Sequence, residues 1–190
     1  SRSSERRRAA GHASVAGYAP AMADDIAYTP SHAGICVSDI EASIRFYCEG
    51  LGFTLAERYD LDSEQMPGLD RSLEMAGPLT VISQMIVSGA MKLELLAYPG
   101  RPAEGAPSVS RGLLGLTHLS FSVDKVDSAG ARLVQYGGRI LEHTRSDAGI
   151  VLLFLTDPDG NALTYSAGLN SGAALPAWLT FNPSTRVFTG

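Results

Sequence analysis

The sequence predicts an α+β domain in which two βαβββ modules form a cupped mixed sheet around a central cavity, with the helices outside. Three observations carry this prediction. HAGICVSDIEASIRFYCEGLGF, opening at His32, aligns without a gap on HLSFSVDKVDSAGARLVQYGGR, opening at His118, so one structural module is written twice. Each copy begins with alternating residues, the pattern of a half-buried strand, and passes into apolar positions at helical spacing. Each is then followed by three apolar stretches bounded by turn signals, which read as strands.

In module 1, HAGICVS is the first strand. SDIE supplies Ser-x-x-Glu, a capping box that places a helix start near Ser38. Ile40, Ile44, Tyr47 and Leu51 form the helix stripe, and Gly50 and Gly52 mark its end. The next strands are FTLAERY, TVISQMIVSG and MKLELLAYP. Between the first two, Asp60 to Pro78 is a polar, Gly/Pro-punctuated excursion able to cover a site. In module 2 the order repeats: LTHLSFSV, a helix from about Asp124 to Tyr136, then RILEHTR, IVLLFLTDP and ALTYSAG. DPDGN at 157–161 is the turn before the last strand.

These elements divide the chain into an N-terminal extension at 1–29, a domain at 30–168 and a tail at 169–190. Module 1 runs from about 30 to 99, a Pro- and Gly-rich linker from 100 to 115, and module 2 from about 116 to 168. The first 21 residues are rich in Arg, Ser and Ala without the apolar run of a secretory signal, and Met22 follows them. They read as an upstream extension of the reading frame or a disordered arm. The tail holds the only tryptophan, Trp178, in the apolar stretch ALPAWL, which reads as packing on the body or on a second subunit.

Composition excludes some functions. The longest apolar runs, such as IVLLFL, fall far short of the roughly 20 residues that cross a bilayer, so no membrane span is expected. Net charge is −5, and SRSSERRR carries +3 of it, leaving −8 on the remainder. An acidic body speaks against a nucleic-acid partner. Cys36 and Cys48 have no metal-knuckle spacing and read as buried free thiols of a reducing compartment, which points to the cytoplasm. Two modules in one chain can close a site intramolecularly or by exchange across a homodimer.

Strand alternation picks out the candidate site. Ala33, Ile35 and Val37 form a face suited to lie under the helix, whereas His32, Gly34, Cys36 and Ser38 share the other. In the second copy Leu119, Phe121 and Val123 oppose His118, Ser120 and Ser122. Glu94 lies between Leu93 and Leu95 in a strand, an expensive place for a carboxylate that is neither paired nor metal-bound. His32, Glu94 and His118, all placed on the cavity face, make a two-imidazole, one-carboxylate donor set suited to Zn, Ni, Co, Mn or Fe(II). Gly34, Ser120 and Thr164 are the expected pocket residues for a small-molecule substrate.

The segments HAGICVSDIEASIRFYCEGLGF, KLELLAYP, GLTHLSFSV and DPDGNALTYS resemble the vicinal oxygen chelate superfamily, which includes glyoxalase I, methylmalonyl-CoA epimerase, extradiol dioxygenases and bleomycin- or fosfomycin-resistance proteins. The resemblance covers about residues 30–168. It implies ligands on the first and last strands of each module, which by position are His32, Glu94 and His118. The fourth place departs from the pattern: lyase and epimerase members carry Glu after the DPDGN turn, and this chain has Thr164. The resemblance implies a divalent-metal-dependent lyase or isomerase acting on a small oxygen-chelating substrate. The alternatives are an Fe(II) extradiol-type dioxygenase and a non-catalytic small-molecule-binding protein of resistance type. With no second carboxylate, the base candidates are Glu94, His143 and Glu142.

Overall fold

The computed structural model describes residues 28–147, 151–167, 180–182 and 187–189. The expectations for residues 1–27 and for Trp178 lie outside them. The account below concerns the compact unit Ser31–Gly190.

Module 1 is built of β1 (Ala33–Cys36), α1 (Ile40–Ile44), β2 (Thr54–Asp62), α2 (Leu69–Ser72), β3 (Thr80–Ser88) and β4 (Met91–Ala97). Module 2 is built of β5 (Leu119–Ser122), α3 (Val126–Val134), β6 (Arg139–Ser146), β7 (Val151–Thr156) and β8 (Ala162–Ala167). Their four-stranded sheets have the same order, β1-β4-β3-β2 and β5-β8-β7-β6, each with one parallel pair and two antiparallel pairs. The βαβββ repeat read from the sequence is therefore present twice. In the tail, β9 (Thr180–Asn182) and β10 (Val187–Thr189) pair antiparallel, strands that the sequence reading did not assign.

Details of the first helix differ from expectation. The N-cap is Asp39, not Ser38: its Oδ1 accepts from the backbone N–H groups of Glu41 and Ala42 at 3.0 and 2.9 Å. Ser38 is drawn away by Asp159, whose Oδ1 accepts from both its backbone N–H and its hydroxyl. Beyond Ile44 the helix continues as a π-helical segment, Arg45–Gly50. The wider turn lets the adjacent Phe46 and Tyr47 both reach the core, where neither is exposed.

One core serves both modules. Ile35, Val37, Phe46, Tyr47, Leu93 and Leu95 of module 1 belong to the same buried cluster as Leu133, Leu153, Leu155, Leu163 and Tyr165 of module 2. Aromatic rings bridge them edge to face: Tyr47 on Phe53 at 6.0 Å, then Phe53 on Phe121 at 6.2 Å. The helical layers touch where side chains are smallest. A β-carbon at Gly50 would stand 2.8 Å from a Leu133 methyl, and one at Gly138 would stand 2.8 Å from the Phe46 ring. Arg132 closes this contact by donating to the Gly50 carbonyl at 2.8 Å.

The predicted faces of β1 are observed except at Ala33, which is exposed. Ile35 and Val37 are buried, while His32, Gly34, Cys36 and Ser38 are exposed. Cys36 is thus an exposed thiol and not the buried one expected, because it stands on the outward face of β1. The excursion 60–78 covers one end of that face: Leu69 and Leu79 bury with Val81, and Leu61, Leu96 and Tyr98 pack around them. Among the described residues no helix is long and apolar enough to cross a membrane.

Candidate functional site

The pairing register shows how the repeat positions its polar residues. In module 1, Gly34 on β1 lies beside Glu94 on β4; in module 2, Ser120 on β5 lies beside Thr164 on β8. Gly34 is two residues past His32 and Ser120 two past His118. Thr164 is therefore the structural counterpart of Glu94, as the repeat predicts.

The two halves differ in chemistry. In module 1 His32 Nε2 lies 3.0 Å from Glu94 Oε2, and the Ser83 hydroxyl donates to Glu94 Oε1 at 2.5 Å. Both carboxylate oxygens are thereby engaged, which answers the cost of placing Glu94 between two leucines. In module 2 the Thr164 side chain is 4% exposed and its hydroxyl has no hydrogen-bond partner. Phe154, its neighbour on β7, carries the His118 ring edge to face at 5.3 Å and the Arg111 guanidinium at 5.5 Å.

A second symmetry was not foreseen. Ser31 Oγ lies 3.0 Å from His32 Nδ1, and Thr117 Oγ1 lies 2.9 Å from His118 Nδ1. Each histidine has a hydroxyl residue just before it in sequence, and that hydroxyl engages Nδ1 and leaves Nε2 to face other groups. The sequence signal was present in Ser31-His32 and Thr117-His118. It passes unnoticed because adjacent side chains in a strand point to opposite faces, and here both pairs lie just before their strands.

The structure brings together His32 and Glu94 but does not gather His118 with them. Among the described residues no three His, Cys, Asp or Glu side chains are grouped to hold a metal ion. The expected convergence of all three donors within one chain is therefore not what the fold produces. His143 and Glu142 are exposed on β6, the far edge of the second sheet from β5, with Glu142 ion-paired to Arg145.

A cleft of about 540 Å³ lies between the modules beneath the linker. Gly34, Cys36 and Ser38 line one side, His118 and Asp159 the other, and Glu104 stands in the linker. Of the three expected pocket residues only Gly34 lines it. Ser120 is exposed on β5, and Thr164 is buried.

Beside the cleft is a buried network that the sequence showed only as a turn. Asp157, 1% exposed, accepts from the backbone N–H groups of Asp159 and Asn161, from the Asn161 amide and, at 2.9 Å, from the Tyr47 hydroxyl. Burial raises its carboxyl above the usual range despite these donors. Burial, then the Asp157 charge, holds the Tyr47 phenol well above its usual value. The network ties the first helix to the β7–β8 turn. The Cys36 thiol, although exposed, is also raised, by partial desolvation and then by Asp159.

Comparison with known proteins agrees with this architecture. Residues 29–165 match the Glyoxalase/Bleomycin resistance protein/Dioxygenase superfamily. A second match, to an Ig domain of He_PIG type at 144–190, overlaps strands that here belong to the second module. The chain is 32% identical over 132 residues to the uncharacterized protein YaeR of Escherichia coli (strain K12), covering 68% of this chain and 88% of that one. A glyoxalase family protein of Bacillus cereus superposes with a TM-score of 0.64 at 22% identity, covering 79% of this chain and all of the other. A glyoxalase I mutant of Zea mays does so with a TM-score of 0.51 at 21% identity, covering 71% of this chain and 43% of the other. Repeat, topology and family match together place the chain in the glyoxalase/bleomycin resistance protein/dioxygenase superfamily, to which it belongs.

Proposed function

We propose that this chain is a divalent-metal-dependent lyase or isomerase of the cytoplasm, acting on a small substrate with two neighbouring oxygens, and that His32, Glu94 and His118 are the metal donors. The observation that carries the reading is the donor geometry. Bonds of about 2.0–2.2 Å to one ion place two ligand atoms about 3 Å apart, and His32 Nε2 and Glu94 Oε2 are 3.0 Å apart. The hydroxyl at Nδ1 of each histidine fits the same reading when it accepts from Nδ1–H, the tautomer that leaves the Nε2 lone pair for a metal.

A bound divalent ion would polarise the substrate oxygens and acidify the adjacent C–H. The chain's own residues do the rest. Ser83 holds Glu94 Oε1 and leaves Oε2 facing His32 Nε2, so Oε2 is the oxygen that would hold the ion, and it would have to leave the ion before taking a proton from the substrate carbon. Glu94 is favoured over His143 and Glu142 because it lies against His32, whereas those two are exposed on β6, the far edge of the second sheet. The metal itself is left unassigned among Zn, Ni, Co, Mn and Fe.

Among the described residues His118 is not grouped with His32 and Glu94. We therefore take the third donor from a second copy of the chain, the module 2 face of each copy meeting the module 1 face of the other. Glu94→Gln and His118→Ala test the donor set. Either change should sharply reduce divalent-metal content while the melting transition stays cooperative, and unchanged content in both would overturn the assignment.

A further inference from the structure

Module 2 carries a cation and a hydroxyl without a partner where module 1 carries a carboxylate. Glu94 has both oxygens bonded, whereas its counterpart Thr164 has a buried hydroxyl bonded to nothing. The Phe154 ring beside Thr164 supports the guanidinium of Arg111. Arg111 donates to two carbonyls, those of Ser108 and Thr117, and makes no ion pair with a described carboxylate. Three of the five N–H groups of its guanidinium are left open. A part-buried guanidinium lacking a carboxylate, over the ring of Phe154, whose register partner carries a hydroxyl lacking an acceptor, is a local deficit of negative oxygen. A glutamate at position 164 would have filled it from within the chain.

We infer that Arg111, the Thr164 hydroxyl and the hydroxyl of Ser120, its register partner, form a subsite for an oxyanion group of the substrate, a carboxylate or a phosphate-type group, beside His118. The inference deepens the reading above, on which it rests for the reacting end of the substrate lying at His118. Arg111 serves as the charged anchor, because its planar fork matches two oxygens of one anion. The Thr164 hydroxyl donates to one of those oxygens and gains the acceptor it lacks.

The linker responds to the same event. Among the described residues no hydrogen bond joins residues 109–116 to either sheet, and Val109, Leu113, Leu114 and Leu116 are exposed. The Arg111 guanidinium over the Phe154 ring is a contact between this strap and the second sheet. An anion that draws the guanidinium toward Thr164 moves the strap with it.

The test is titration of the full-length chain in the presence of EDTA with glycolate, with methylphosphonate and with neutral glycolamide, followed by backbone amide NMR. Glycolate or methylphosphonate should bind saturably and shift amides of residues 108–120, whereas glycolamide should not. Arg111→Gln and Thr164→Val should each weaken binding by about ten- to a hundredfold, the range for a hydrogen bond to a charged group. Preference for glycolate names a carboxylate substrate; preference for methylphosphonate names a phosphate-type one. Equal binding of glycolamide, no saturable binding of either anion, or affinities unaltered in both variants would overturn the subsite. Because EDTA removes metal, anion binding here is independent of the metal content of the Glu94 and His118 variants, so the two proposals fail separately.

Discussion

Thr164→Val separates what the fold needs from what the site needs. The side chain is 4% exposed and its hydroxyl has no partner. Burying a hydroxyl without a hydrogen bond costs about 1–3 kcal/mol. Valine keeps the branched shape and the strand preference of threonine, so neither a cavity nor a backbone penalty offsets the gain. The variant should therefore be more stable by about 1 kcal/mol or more, and at this chain length each kcal/mol moves the midpoint by roughly 2–4 °C. Thermal unfolding followed by circular dichroism, in parallel with Ser83→Ala, supplies the contrast. Ser83 donates to a carboxylate, and its loss should destabilise by about 1.5–3 kcal/mol. A Thr164→Val protein that melts below the parent would refute the reasoning, because it would mean the hydroxyl is satisfied in the folded protein.

Two further outcomes follow from the core. Tyr47 and Tyr165 both have phenols raised by burial; below about pH 10 they are protonated in folded and unfolded chains alike. Above that value the unfolded chain loses protons first, so the midpoint should fall progressively as the pH rises above about 10. Tyr47→Phe should lessen that fall while lowering stability at neutral pH by about 1–3 kcal/mol, since the buried Asp157 loses a donor. A pH profile unaltered by the substitution would contradict the assignment. Gly138→Ala should destabilise by about 1–3 kcal/mol, because its β-carbon would stand 2.8 Å from Phe46 and 3.0 Å from the Thr156 carbonyl, whose backbone cannot yield. An unchanged urea midpoint would show that the helical layers pack less tightly than described.

Much of the fold was legible because alternation and the repeat are local signals. Six of the eight strands of the two modules fall within the stretches read from sequence, β2 running on to Asp62 and β6 to Ser146, and the equivalence of Glu94 and Thr164 followed from counting along two aligned copies. What was not legible depends on tertiary choices. Ser38 and Asp39 both satisfy a capping pattern, and only the arrival of Asp159 from the other module decides between them. The π-helical segment depends on burying Phe46 and Tyr47 together, which a stripe at ordinary helical spacing does not anticipate. The Asp157 network looks like a turn until Tyr47 is brought to it from 110 residues away. How the two modules dock through one shared core, on which the position of His118 relative to His32 and Glu94 depends, is likewise not described by periodicity.

The central claim is that one metal centre draws His32 and Glu94 from one copy of the chain and His118 from another. The direct measurement is metal content after mixing Glu94→Gln with His118→Ala in equal amounts, under conditions that exchange subunits. Each variant alone has no intact donor set. In the mixed dimer the His32–Glu94 pair of the second meets the His118 of the first, so random pairing should restore about a quarter of the wild-type content. Recovery near that level is the predicted result. Metal content that stays at the level of the separate variants, once exchange is verified, would contradict the shared centre.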